Sequence, residues 1–495
     1  MNNRNEQALH VAIVGGGISG LATAFFISRL APGSRVAVFE KESRFGGTMQ
    51  SEYRDGFLFE AGPNGFLSSR TETLDLIRES GAEGLLLRSN DHARIRYIFS
   101  DGLHRLPDTP PAFLGTDLLS LRDKLRVLGE VFVPPKRDHD DESLRAFGYR
   151  RLGHAFTDIF LDAMSAGIFA STPERLSVNA AFPAVVRLER DYGGLFKGMI
   201  KKRKKETGPG GVLMSFHGGV GAFVDHLAKT LADTPGVELY PDASVARLAR
   251  DESGYRITME RDRSGTESRS ESEFQSQSRT EFGVESGNDS EAGSGVESST
   301  EFKAGCVVLA TPAYITAGLV ASLDQGIASR LRAISYSPVA VVGFGFDGLD
   351  HPLRGFGLLT TTSAQQDILG VLWDSSAFPG RAPTSKRSLR VLIGGQRNPD
   401  LALSDESTLV DMARRGIENT MDITDRPSTV FVKRWERGIP NYPVGHLANV
   451  REIHERIEAY PGLLLNSNAY FGVGINDCVV NSLACARRWL DEYRD

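Results

Sequence analysis

An α/β architecture, α+β over the whole chain, is what this sequence predicts, and three observations predict it. Residues 11–14 are apolar β-formers, followed by Gly15, Gly17 and Gly20, an apolar helix over 21–30 and a second short strand over 36–39, the order of a βαβ unit. Residues 143–191 read as largely helical. Residues 331–400 carry VAVVGFGF, GFGLLTT, ILGVLW and LRVLIGG, which fit an antiparallel sheet beside the first unit.

Composition bounds the function. At 495 residues the chain is long enough for two or three domains. It is 40% hydrophobic and 24% charged, which fits a soluble or peripheral globular protein. The net charge of −6 offers no basic field for nucleic acid. Cys306, Cys478 and Cys485 lie far from C-x-x-C spacing and suggest neither a disulfide framework nor a metal site. The polar start, MNNRNEQALH, lacks the apolar core of a secretory signal, and no long apolar run predicts a spanning helix. A cytoplasmic location is expected, with peripheral attachment to a membrane face left open.

The βαβ unit carries the first chemistry. Gly15 permits the tight turn from strand to helix, and Gly17 lets a pyrophosphate approach the backbone. Gly20 lets the helix pack closely on the sheet, while the N-terminus of the helix faces the phosphate charge. Glu40 is placed to accept hydrogen bonds from a ribose. A Gly-rich turn in an ordinary α/β unit is the alternative, and the strand–helix context and the acid argue against it. Next comes KESRFGG, where Arg44, Gly46 and Gly47 make a basic, backbone-accessible turn. Then GFLFEAGPNGF places Glu60, Gly62, Pro63, Asn64 and Gly65 in a strand and turn. A plain β-turn explains Pro-Asn-Gly equally well.

Together, GGGISGLATAF, FEKESRFGGTMQSE and FEAGPNGF resemble the opening of the FAD-dependent amine oxidase superfamily. Within it they are most similar to the oxygen-dependent protoporphyrinogen oxidases and the related coproporphyrinogen oxidases. The resemblance implies FAD as cofactor, held by Gly15, Gly17, Ile18, Ser19, Gly20, Glu40, Lys41, Arg44, Gly47, Gly62, Pro63, Asn64 and Gly65.

Later segments extend it. RIRYIFSDGLHRLP (94–107) reads as a β-hairpin turning at Asp101-Gly102, with Arg94 and Arg96 on one strand face. The resemblance implies that Arg96 pairs with a propionate of a tetrapyrrole, with Arg94 as the fallback; a planar guanidinium suits that task. Residues 113–133 read as one amphipathic helix, with Leu118, Leu121, Leu125, Leu128 and Phe132 on its apolar side. A core-facing helix is the plainer reading and a membrane-touching one the sharper. DAMSAGIFAS resembles a small-residue turn that contacts the tetrapyrrole, implying that the Gly167 carbonyl faces the substrate. Lys197 and the run 201–205 form a basic stretch: a solvated face, or one drawn to anionic lipid. Val245 is implied as an adenine contact. Leu359, Leu372 and Leu392 are implied as walls of a flat pocket, with ordinary core packing an equal reading. In VKRWERGIPNYPVGH, Trp435 resembles an aromatic near the flavin, and His446 reads as structural. In GVGINDC, Val473, Gly474 and Ile475 are implied to meet the flavin; Asn476 departs from the proline or other small residue usual there, and Cys478 reads as a buried helix residue.

The fold so implied is a Rossmann-type FAD-binding domain assembled from discontinuous segments, with a β-rich substrate domain and a helical insertion. The expected FAD-binding parts are 1–90, 212–260, 303–318 and 446–495; the substrate parts are 91–110, 191–211 and 319–445. Residues 111–190 form the helical, membrane-contacting candidate. The Ser/Glu-rich stretch 261–302 cannot bury enough apolar surface to order itself, so disorder is expected there. The implied activity is six-electron oxidation of protoporphyrinogen IX, as three two-electron cycles, with O2 as acceptor and H2O2 released. Coproporphyrinogen III is the alternative substrate. An amine oxidase, a carotenoid desaturase and a flavin-binding scaffold without turnover are the more distant readings. No acid–base or metal residue is assigned, and a homodimer is among the assemblies left open.

Overall fold

A computed structural model of the chain describes residues 9–138, 140–205, 211–260 and 300–493. Apolar β-formers build two seven-stranded sheets. In the first, strands Leu9–Val14 and Val36–Phe39 run parallel, with Val11 opposite Val36, and Val237–Tyr240 continues the parallel order beyond them. On the other side Leu9–Val14 pairs in parallel with the C-terminal half of Thr300–Leu309, which also receives Leu463–Leu465. The N-terminal half of Thr300–Leu309 pairs antiparallel with Gly254–Glu260. One sheet therefore joins both ends of the chain. Its core is buried on both faces, against helices Ile18–Leu30, Gly219–Ala232 and Ile475–Tyr493 on one side and Ala313–Val320, Gln325–Arg332 and His446–Ile457 on the other. Burial on two faces is why its short central strands are continuous apolar runs.

The expected disorder needs one correction. Thr300, Glu301 and Phe302 belong to a strand and pair with Met259, Thr258 and Ile257. Phe302 packs edge-on to Phe39 at 5.0 Å and to Tyr240 at 5.1 Å, which gives this end of the stretch the apolar contact its composition lacks elsewhere. The rest of the expected insertion, 261–299, lies outside the described residues.

The second sheet runs in the order Thr429–Pro440, Tyr336–Phe346, Arg387–Gly394, Ile368–Leu372, Gly357–Thr360, Tyr97–Phe99 and Leu103–Arg105. All its pairs are antiparallel except Gly357–Thr360 with Tyr97–Phe99. One face packs on helix Glu406–Met421 through Val391, Ile393, Val371 and Leu358. The opposite face meets strand Phe57–Glu60 of the first unit through Val341, Leu392 and Trp435.

Two expected elements differ. Asp91–Arg94 is a 3₁₀ turn, so Arg94 is not on a strand beside Arg96. Ala93 is buried against the cluster containing Ala377 and Phe378, and Asn90 Nδ2 donates to the Ser376 carbonyl, which curls this segment inward. The single helix expected over 113–133 is two helices, Pro110–Gly115 and Leu121–Leu128, followed by a 3₁₀ turn. Ser120 restarts the second helix by accepting from Asp123 N at 3.2 Å, an N-cap written in the sequence. The core-facing reading also fails for most of the stripe. Leu118 is buried, but Leu121, Leu125 and Phe132 are 73%, 61% and 87% exposed, while Leu119 and Val127 face the core instead.

Candidate active site

The glycine loops form one backbone surface at the top of the first sheet. Gly15 has φ 107°, and a Cβ there would meet the Ala310 carbonyl group at 2.9 Å. A Cβ on Gly20 would collide with the Gly15 carbonyl, so this helix can approach its strand only as glycine. Gly17 by contrast faces open space, with only Gly47 Cα at 4.0 Å. Gly46 N donates to the Gly16 carbonyl at 2.8 Å, laying the second glycine turn on the first. Arg44 holds that turn by donating to the carbonyls of Phe45 at 2.9 Å and Gly47 at 2.5 Å. Lys41 turns outward to an exposed pair with Glu42 and is not gathered into the cluster.

Glu40 closes the nucleotide end. Its carboxylate accepts from Gly16 N at 2.7 Å and Glu42 N at 3.0 Å, which fixes it and leaves lone pairs for hydroxyl donors. Ala243 N donates to the Glu40 carbonyl at 2.8 Å, and this brings the half-buried Val245, at a bulge in its strand, to the same end. At the other end, helix Ile475–Tyr493 starts beside Ile18–Leu30, since Ser482 Oγ donates to the Ser19 carbonyl at 3.0 Å. Val473 and Gly474 lead into that helix, and Gly474 N donates to Asp477 at 3.2 Å. Asn476 fits its position: it donates to the Leu67 carbonyl at 2.8 Å and accepts from Thr73 at 2.7 Å. Cys478 is buried in this helix, and burial pushes its thiol up to about 11.

The Gly62–Gly65 turn joins strand Phe57–Glu60 to the short strand Phe66–Leu67. A Cβ on Gly62 would strike the Thr48 carbonyl, and one on Gly65 the Met214 carbonyl. Both amide heteroatoms of Asn64 are buried without a hydrogen-bond partner among the described residues. Buried amides seek partners. This orphaned amide, the open backbone at Gly17 and a helix N-terminus with neither a side-chain cap nor an acid in its first turn fit an extended dinucleotide such as FAD.

The substrate candidates share one face of the second sheet. Register places Leu392 and Leu359 opposite Gly370 on either side, and Leu372 is two residues further along that strand. All three leucines are half-buried, whereas Leu358, Val371 and Val391 beside them are fully buried on the other face. Gly167 lies over this row, in the last turn of helix Asp162–Phe169 rather than in an irregular turn. A Cβ on it would meet Leu359 Cδ1 at 2.7 Å. Ser171 N, four residues on, turns back to the Ser165 carbonyl at 3.2 Å instead of engaging Gly167. Asp162 ties this helix to the sheet by accepting from Thr362 N at 2.6 Å and from Arg397 at 3.3 Å; burial raises its pKa.

Arg96 precedes strand Tyr97–Phe99, and Leu106 N donates to its carbonyl at 2.8 Å, so the ladder extends through it. It shares the face of Ile98, which pairs with Leu359. Its guanidinium lies over Phe356 at 5.6 Å and makes no ion pair among the described residues. The neighbouring His104 and Arg105 are engaged by Asp101 and Asp108, at 2.9 and 3.1 Å. Trp435 is on the opposite edge of the row, donating from Nε1 to the Ala61 carbonyl at 2.7 Å. His446 is structural: it is stacked on Tyr442 at 4.2 Å, and burial lowers its pKa to about 4. Sequence reasoning missed the buried cations Arg381 and Arg390 with Glu60 and Asp374; the signal was an arginine inside the apolar strand LRVLIGG.

Known proteins resemble this chain in sequence and in fold. The family model described as flavin containing amine oxidoreductase matches residues 18–273 and 278–490. The coproporphyrinogen III oxidase of Bacillus subtilis (strain 168) is 26% identical over 95% of each chain. Protoporphyrinogen oxidase 1, chloroplastic, of Arabidopsis thaliana is 28% identical over 94% of this chain and 85% of its own. A solved structure from Exiguobacterium sp. 255-15, provisionally named as a protoporphyrinogen oxidase, superposes with a TM-score of 0.78 at 23% identity, covering 97% of this chain and 98% of that one. Putrescine oxidase bound to putrescine shares the fold at a TM-score of 0.63 and 15% identity, over 98% and 99% of the two chains.

Proposed function

This chain belongs to the flavin containing amine oxidoreductase family, and we propose that within it the protein oxidises a porphyrinogen, protoporphyrinogen IX to protoporphyrin IX, with O2 as the final acceptor and H2O2 as the by-product. One observation carries the reading: Leu359, Leu372 and Leu392 share the more open, half-buried face of the second sheet with Arg96, which makes no ion pair among the described residues and stands three strands from Leu392. At about 4.8 Å per strand that is roughly 14 Å, the scale of a flat macrocycle with a carboxylate arm. FAD, when bound, supplies the electron acceptance, two electrons at a time.

The chain's own residues do the rest. Gly17, Gly47 and the start of helix Ile18–Leu30 receive the pyrophosphate, Glu40 the ribose, Val245 the adenine end, and Asn64, Trp435, Val473, Gly474 and Ile475 the flavin end. The leucines hold the macrocycle flat and exclude water. Gly167 presents a carbonyl to pyrrole N–H donors without adding a charge. Arg96 fixes one propionate. The engagement of His104 and Arg105 by acids leaves few further anchors on this edge, which favours a two-propionate substrate over a four-propionate one. Coproporphyrinogen III stays as the second reading because a coproporphyrinogen III oxidase is similar over 95% of both chains.

The helical block supports contact with a membrane face, where such poorly soluble substrates reside. Leu121, Leu125, Leu128 and Phe132 are exposed together with Met199 and Ile200, and Lys197 and Lys201 flank the latter pair. Glu130, in the 3₁₀ turn that carries Phe132, accepts from Arg151 and from Leu195 N at 2.8 Å, and so ties this turn to helix Leu195–Lys205, which carries Met199 and Ile200. No helix among the described residues is long and apolar enough to cross a membrane. The test is anaerobic mixing of FAD-loaded protein with protoporphyrinogen IX or with a primary amine. Bleaching of the flavin by the porphyrinogen alone is expected; bleaching by the amine alone, or by neither, would overturn the reading.

A further inference from the structure

We infer that Arg390, locked by Asp374, is a positioning residue that sets the cofactor-facing turn Gly62–Gly65 against the substrate face. The inference rests on the proposed placement of FAD at that turn. Three successive carbonyls enter the turn, and each is held from the second sheet. Arg390 Nη1 donates to the Glu60 carbonyl and reaches the Gly62 carbonyl at 3.5 Å. Trp435 Nε1 takes the Ala61 carbonyl between them at 2.7 Å. Arg390 cannot swing away, because Asp374 accepts from its Nε at 2.6 Å and its Nη2 at 2.9 Å. Both side chains are fully buried, so water cannot replace either partner.

The other side of the same residue is fixed as well. The Glu60 carboxylate accepts from Val220 N at 3.0 Å, at the start of helix Gly219–Ala232, and from Ser51 at 2.5 Å. Arg381, from the second sheet's side, pairs with it at 2.8 Å. Arg390 also sits in register opposite Leu372 and two residues before Leu392. One guanidinium therefore fixes the distance between the pocket walls and the turn bearing Asn64. A fork is required: two donors are spent on Asp374 and a third serves the carbonyls, which a lysine ammonium cannot reproduce in one plane.

Arg390→Lys and the isosteric Asp374→Asn test this, with Glu130→Gln as a control that breaks a buried ion pair far from the turn. The readouts are the FAD dissociation constant and the visible circular dichroism of the bound flavin, beside the melting temperature. Both test variants are expected to raise the FAD Kd about tenfold or more and to change the flavin dichroism. The control should melt earlier with both flavin readouts unchanged. If Arg390→Lys does not fold, Asp374→Asn decides the matter, because it keeps the side chain's shape. Wild-type Kd and dichroism in Asp374→Asn would overturn the inference while leaving the FAD site standing. A wild-type protein that takes up no FAD would overturn the placement of the cofactor and the inference with it.

Discussion

The two seven-stranded sheets bury their strands differently. In the first, Val36, Ala37, Val38 and Phe39 are all buried, because helices cover both faces. In the second, Val391 and Ile393 are buried while Leu392 between them is half-buried, because one face packs on helix Glu406–Met421 and the other is more open, covered in part by strand Phe57–Glu60 and helix Asp162–Phe169. The first sheet presents open backbone at its glycine edge and buries its side chains along its length. The second offers a side-chain surface. A flat apolar substrate needs the second kind of sheet, and a phosphate needs the first.

The strongest way to break that contrast is at the glycine edge. Gly20→Val drives a side chain into the Gly15 carbonyl, with no room to relax. A loss of about 3 kcal/mol or more of stability is expected, with loss of FAD retention, read by thermal denaturation and flavin absorbance.

Acid tests the closed side next. His446 is held neutral by burial with a pKa of about 4, against an ordinary 6.5. Below 6.5 the unfolded chain takes up this proton and the folded chain does not, so stability is full above 6.5 and falls as pH drops toward 4. The loss approaches about 3 kcal/mol. In His446→Gln the melting temperature should fall less steeply between those pH values.

Two neighbours on one strand sharpen the comparison. Val391→Ala, on the closed face, should cost about 2 kcal/mol with little effect on KM. Leu392→Ala, on the open face, should cost about 1 kcal/mol in stability and raise KM several-fold. Equal effects of the two on KM would remove the open face as the substrate surface. Arg96→Ala should leave stability within about 0.5 kcal/mol and raise KM about tenfold or more, through loss of a charge-assisted pair. Smallest in stability is Leu125→Asp, which should leave the melting temperature unchanged yet reduce sedimentation with anionic vesicles.

Much of the first sheet was legible because its constraints are local. Gly20 must be glycine because of the Gly15 carbonyl, a contact within one βαβ unit, and Glu40 directly follows the next strand. The leucine row was legible as residues but not as a face. Only the register with Gly370 puts Leu359 and Leu392 in one row. The helix expected over 113–133 broke because Ser120 capping outweighed the apolar period, and its leucines stayed outside because Leu119 and Val127 had already filled the core. The Arg390–Asp374 pair was not legible, since partners 16 positions apart meet through a strand and a turn and act on residue 60, some 330 positions away.

The most direct test of the central claim is an aerobic assay of the FAD-loaded protein with protoporphyrinogen IX and coproporphyrinogen III in parallel, following porphyrin fluorescence above the autoxidation rate. The account predicts turnover of both classes of macrocycle on one site, faster with protoporphyrinogen IX, and a raised KM for either in Arg96→Ala. Faster turnover of coproporphyrinogen III would replace the substrate and keep the site. No turnover of either by a protein that holds FAD would contradict the account.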